Sequence, residues 1–117
     1  MTYQQSLLTE RWKTKRLKLI IAARFECQDC ARSFPSEKKL EVHHCWYEYG
    51  KEAWDYPDDC FLVLCRKCHK KRQKVQNSAQ VVLGMYMRLL AVEQIEALVF
   101  ELVAKRQDIT RQVEVEL

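Results

Sequence analysis

Phe61-Leu62-Val63-Leu64-Cys65-Arg66-Lys67-Cys68-His69 is the stretch whose reading decides the fold. A short apolar run reads as a buried strand, and it leads directly into a Cys-x-x-Cys pair. The cysteines sit where the strand turns into a helix, and His69 falls in the first turns of that helix. A second pair, Cys27-Gln28-Asp29-Cys30, lies upstream, with 34 residues between the two pairs. Four soft thiolates in two hairpin-sized pairs suit tetrahedral zinc. A site saturated by four thiolates keeps no open position, so its role is to fold the chain rather than to catalyse.

Two other readings of the cysteines compete. Phe25-x-Cys27-x2-Cys30-x3-Phe34-x5-Leu40-x2-His43 follows a two-Cys, two-His finger, with 12 residues between Cys30 and His43. The fourth ligand of that motif is missing, because positions 47 to 49 are Tyr47, Glu48 and Tyr49. A redox role for either pair is the other reading. Cys45 and Cys60 remain as small buried apolar residues.

The chain has 117 residues, two Gly, two Pro and no low-complexity tract, which points to one compact domain rich in helix. No apolar run approaches the roughly 20 residues of a membrane span. The N-terminus lacks the charged and apolar regions of a signal peptide. The expectation is an intracellular, cytoplasmic protein, where paired cysteines bind metal more often than they form disulfides. Charge is uneven. Residues 1–75 hold 16 Lys and Arg against 10 Asp and Glu, and residues 76–117 hold 4 against 6. Positive charge beside the cysteine-histidine region suits a polyanion.

Residues 5–23 read as a helix with Leu7, Leu8, Trp12, Leu17, Ile20 and Ile21 on its apolar side. Leu40-Glu41-Val42-His43 alternates as a short strand, and residues 46–60 read as a loop. Asn77-Ser78 reads as a break and N-cap, followed by a long helix over residues 79–106. That helix is apolar over much of its girth, so it either covers the metal domain or pairs with a second chain. The division expected is 1–77 for the metal domain with its N-terminal helix and 78–117 for a C-terminal extension. The tail, Ile109 to Leu117, reads as a strand or a frayed end.

Cys27-x2-Cys30, Leu40-Glu41-Val42-His43-His44, Trp54-Asp55-Tyr56-Pro57-Asp58 and Leu64-Cys65-x2-Cys68-His69 together resemble the HNH endonuclease family, over Trp12 to His69. The resemblance implies an α+β, mostly helical fold. Its centre is a zinc-stabilised ββα-metal core, with an N-terminal helix and a long C-terminal helix. It implies metal-dependent hydrolysis of DNA. His43 and His69 match ligands of a catalytic divalent ion, typically Mg²⁺, separate from the structural Zn²⁺ on Cys27, Cys30, Cys65 and Cys68. His44 matches the general base, a role that suits an imidazole near neutral pH. Neighbouring strand residues point to opposite faces, so His43 and His44 serve one phosphate only if the chain bends there.

Two positions depart from the family pattern. Its middle Asn falls on Cys60, leaving Asp58 and Asp59 as supporting residues, and its later helix His falls on Gln73. These departures predict a weak or slow site, or one that has lost cleavage. DNA is the expected partner, gripped by Lys13, Lys15 and Arg16 and by Lys70, Lys71, Arg72 and Lys74. The alternative is a non-catalytic HNH-like protein, such as a phage- or defence-related regulator or inhibitor docking on DNA or a nucleoprotein. Residues 79–106 offer a surface for a homodimer or a protein partner, and no membrane is involved.

Overall fold

A computed structural model describes the backbone of residues 1–116 and the side chains of residues 1–109. The elements in order are α1 (Tyr3–Ser6), α2 (Glu10–Ala22), β1 (Leu40–His44), β2 (Phe61–Cys65), α3 (Arg66–Met87) and α4 (Val92–Glu116), with single 3₁₀ turns at Glu37–Lys39 and Asp58–Cys60. The fold is α+β and mostly helical, with one small sheet. No helix among the described residues is long and apolar enough to cross a membrane. The chain divides into two compact units, Met1–Val75 and Gln76–Leu117.

The helix expected over residues 5–23 is two helices. Thr2 caps α1 in a reciprocal capping box with Gln5, and Thr9 restarts the chain as N-cap of α2 by accepting from the Trp12 N–H. A capping hydroxyl satisfies a donor that the first helical turn leaves open, so a Thr inside an amphipathic run can begin a new helix. α2 then buries Trp12 and Ile20.

β1 and β2 pair antiparallel, with Leu40 opposite Cys65, Val42 opposite Val63 and His44 opposite Phe61. One face of this hairpin meets α2. Trp12 joins Phe61, Tyr56, Ala53 and Cys60, and Ile20 joins Leu40 and Val63. The opposite parity puts Leu64 against Cys27. The sheet is thus fixed by α2 on one face and by the cysteine knuckle on the other.

The expected break at Asn77-Ser78 is absent, because α3 runs unbroken to Met87. Asn and Ser lower helix propensity by only tenths of a kcal/mol on an exposed surface. The chain turns instead over residues 88–91, where Gln94 takes the Ala91 N–H at 2.8 Å. α4 extends beyond the expected end at 106 and makes the tail helical through Glu116. Leu117 lies outside the described residues.

Candidate metal centre and histidine cleft

The two cysteine pairs converge. The Sγ atoms of Cys27, Cys30, Cys65 and Cys68 all lie within 4.8 Å of one another, and Cys30 and Cys65 are 3.9 Å apart. Zn–S bonds of about 2.3 Å place tetrahedral sulfurs about 3.8 Å apart. A disulfide needs about 2.05 Å, and all six cysteines are free thiols. The arrangement therefore fits zinc.

Local backbone chemistry builds the site. The first pair sits on a knuckle closed by Cys27 N–H to Arg32 O at 2.9 Å and Ala31 N–H to Cys27 O at 2.8 Å. Ala31 takes φ +64° to close it. Burial pushes the Cys27 thiol up, but backbone N–H groups of Cys30, Cys65 and Asp29 outweigh burial and bring it down to about 6. Cys68 is pushed up to about 12, chiefly by its side-chain hydrogen bond with Cys65. Backbone donors at Cys27 favour the thiolate form that zinc needs, and the cation displaces the protons the four-thiol set still holds.

The two residues inside the first pair fasten the knuckle. Gln28 gives its N–H to Val63 O at 2.8 Å and takes the Val63 N–H on Oε1 at 2.7 Å. Asp29 holds Arg72 of α3 with two bonds of 2.9 and 2.7 Å. The Arg72 guanidinium keeps the Asp29 carboxyl below its ordinary range.

Three residues expected on a DNA face are thus committed within the protein. Besides Arg72, Lys15 gives its ammonium to the carbonyls of Trp54 and Tyr56 at 2.9 and 2.6 Å. Arg16 donates to Leu40 O at 2.6 Å. A side chain bound to buried-loop carbonyls is not free to grip phosphate. Lys13 pairs loosely with Glu10 on the surface, and Lys70, Lys71 and Lys74 are exposed along α3.

β1 remains regular through His44, so the two adjacent histidines face opposite ways. His43, 1% exposed, meets His69 edge-on with ring centroids 5.1 Å apart. Glu41 shares that face and holds His69 Nδ1 at 3.1 Å. A carboxylate accepts, so Nδ1 carries the proton and the neutral ring keeps its lone pair on Nε2. His44, 3% exposed, stacks between Trp12 and Tyr47 with Phe61 against its edge.

The tautomer of His44 is also fixed. Its Nε2–H donates to Ala53 O at 2.9 Å, so Nδ1 accepts the Tyr3 hydroxyl at 3.2 Å. Burial pushes the imidazole below its ordinary value, with smaller help from the charges of His43 and Lys15. Ala53 escaped the sequence reading, because the group that orients His44 is a backbone carbonyl.

A cleft of about 430 Å³ runs past this strand, lined by Tyr3, Glu41, His44, Tyr47, His69 and Gln73 among others. His43 is not among its lining residues. Asp58 and Asp59 lie exposed on the 3₁₀ turn before β2, and Asp58 comes within 4.0 Å of Lys15. Cys60, at the position of the family's Asn, is buried, and its thiol points at Trp46 O at 3.5 Å. Among the described residues the four cysteines are the only group of three or more His, Cys, Asp or Glu donors within metal-binding reach.

Fold and site together define a zinc-binding protein whose four thiolates fasten the loop after α2 to the junction of β2 and α3. The chain belongs to the 3CxxC zinc-ribbon family, a zinc-binding domain matched over residues 20–115. The chain itself carries two Cys-x-x-Cys pairs. The match supports zinc binding and carries no support for the HNH resemblance. No curated protein and no solved structure matches the chain.

Proposed function

We propose that the first unit is an HNH-type, metal-assisted site for hydrolysis of DNA phosphodiester bonds, erected on a structural zinc. The observation that carries this reading is the hydrogen bonding of His44. With Nε2–H committed to Ala53 O, the lone pair of a general base sits on Nδ1, in the same cleft as His69 and Gln73. Glu41 acts on His69 in the complementary sense and leaves Nε2 as a ligating nitrogen.

His69 is the residue of this cleft to hold a second ion. His43 turns to the opposite face of a regular β1 from His44, so its expected part as second ligand to the same phosphate site is not carried by the geometry. Imidazole nitrogen suits Zn²⁺ or Ni²⁺ better than Mg²⁺. Such an ion would polarise the phosphate and stabilise the leaving oxygen. Lys70, Lys71 and Lys74 offer the phosphate backbone a positive face.

One observation favours a second reading, a non-catalytic HNH-like protein that binds DNA or a nucleoprotein. The Tyr3 hydroxyl occupies the Nδ1 that a base would use. A plasmid-nicking assay with Mg²⁺, Mn²⁺ or Ni²⁺, on wild type and His44→Ala, separates the two. Nicking that disappears in the variant supports hydrolysis. DNA binding with no nicking under any of the ions supports the second reading.

A further inference from the structure

His44 and His69 line one cleft, yet they are not equally open. The His69 side chain keeps 28% of its surface exposed, while His44 is 3% exposed. Part of the cover on His44 comes from α1. Tyr3, Gln4 and the C-cap Leu7 belong to the lining of the cleft, and the Tyr3 hydroxyl ends on His44 Nδ1 at 3.2 Å. The Tyr3 ring also stands edge-on to the rings of His44 and Tyr47, with centroids 5.7 and 5.5 Å away. A lone pair that accepts this hydroxyl cannot take a proton from water.

α1 can leave without dismantling its neighbours. It is four residues long and carries its own capping box on Thr2. α2 begins afresh on Thr9, whose Oγ1 takes the Trp12 N–H at 3.2 Å. The joint between the two helices carries Leu8, which is 76% exposed. The Tyr3–His44 bond fastens α1 to β1, and Ser6 Oγ, taking the Ala53 N–H at 3.1 Å, fastens it to the loop beyond. Tyr3 and Leu7 add partly buried contact with the Trp12 cluster. A terminal turn held by a few side chains opens at well below the free energy that unfolds a domain.

We infer that α1 is an autoinhibitory latch on this cleft. Closed, it occupies the proton-accepting nitrogen of His44 with Tyr3 and leaves His69 reachable. Open, it frees Nδ1 to take a proton from the water that attacks a phosphodiester. The regulatory sense of the latch rests on His44 as the base proposed above, whereas the closure itself rests on the contacts of Tyr3 and Ser6. Only molecules with the latch open are competent, so the observed rate is that of the open form multiplied by its fraction.

Acylation of the histidines by diethyl pyrocarbonate, read residue by residue by mass spectrometry on the full, zinc-loaded chain, tests the latch. His69 is the open standard, and His43, 1% exposed, is the buried one. Wild type is expected to react fast at His69, slowly at His44 and most slowly at His43. In low urea the His43 rate should climb as global unfolding does, while the His44 rate stays flat, because opening α1 exposes little surface. Tyr3→Phe is expected to speed His44 about fivefold, the factor for one hydrogen bond, and Tyr3→Ala combined with Ser6→Ala by more than about tenfold. Plasmid nicking should rise in Tyr3→Phe by the same factor as the His44 rate. A His44 rate that climbs with urea in step with His43, or that Tyr3→Phe leaves unchanged, overturns the latch. So does nicking that is equal in wild type and Tyr3→Phe. No nicking in either protein, with His44 unmasked by the substitutions, overturns the hydrolytic reading and upholds the closure.

Discussion

Tyr3 donates its hydroxyl to Nδ1 of His44 across 3.2 Å, joining residues 41 positions apart. The same N-terminal turn reaches the ring a second way. Ser6 Oγ takes the Ala53 N–H at 3.1 Å, and the Ala53 carbonyl takes the His44 Nε2–H. Both ring nitrogens are thus held, directly or through one peptide, by residues 3–6.

Tyr3→Phe removes one of these bonds and keeps the ring contact with Tyr47. The expected loss is about 1 kcal/mol of unfolding free energy, read by denaturant titration. The His44 pKa is expected to rise, because a donor to Nδ1 favours the neutral ring. An imidazole ¹⁵N signal that is the same in both proteins would show that the hydroxyl does not bond the ring.

His44 also gives the fold a pH dependence of definite sign. Its folded pKa lies below the ordinary 6.5. Below about pH 6.5 the unfolded chain therefore takes a proton that the folded chain refuses, and stability falls until the folded pKa is passed. The slope contributed is at most about 1.4 kcal/mol per pH unit. Melting temperatures of wild type and His44→Gln between pH 7.5 and 5.5 should differ in slope, with wild type the steeper. Parallel curves would remove His44 as the cause.

Cys65→Ser should release zinc, since it breaks a four-thiolate set, whereas a two-Cys, two-His finger would keep its metal. Structural zinc in small domains is worth about 10–16 kcal/mol of apparent binding energy, so the variant should also lose much of its tertiary structure. Cys45→Ser serves as the control and should retain about one zinc per chain. Metal content by mass spectrometry, with near-ultraviolet circular dichroism, distinguishes these outcomes.

Arg72→Ala breaks the bidentate pair with Asp29 between the knuckle and α3. The pair is partly exposed, so the expected loss is about 1 kcal/mol. Lys70→Ala with Lys71→Ala should instead leave stability unchanged and weaken binding to duplex DNA at low salt. If Arg72→Ala costs DNA affinity without costing stability, Asp29 is not its main partner.

The sequence was most legible where covalent spacing and simple periodicity decide the outcome. The two Cys-x-x-Cys pairs can converge on one metal, and alternation marks β1 and β2. Helix limits were harder, because one side-chain oxygen on Thr9 divides what periodicity reads as a single helix. Asn77 and Ser78 misled in the opposite direction, since their turn preference is too weak to interrupt α3. The fates of Lys15, Arg16 and Arg72 could not be read at all. Their partners are carbonyls of Trp54, Tyr56 and Leu40 and the carboxylate of Asp29, all distant in sequence. Ala53 is the extreme case, an alanine whose side chain says nothing and whose peptide orients a histidine.

Gln28 and Arg16 have a consequence at the margins of the hairpin. A two-stranded sheet has no interior strand, so each margin is a template for another chain's backbone. Gln28 occupies both polar groups of Val63, and Arg16 occupies the Leu40 carbonyl. Side chains from the knuckle and from α2 thus act as stoppers against strand-to-strand growth. The smallest possible sheet can remain solitary without a third strand to protect it.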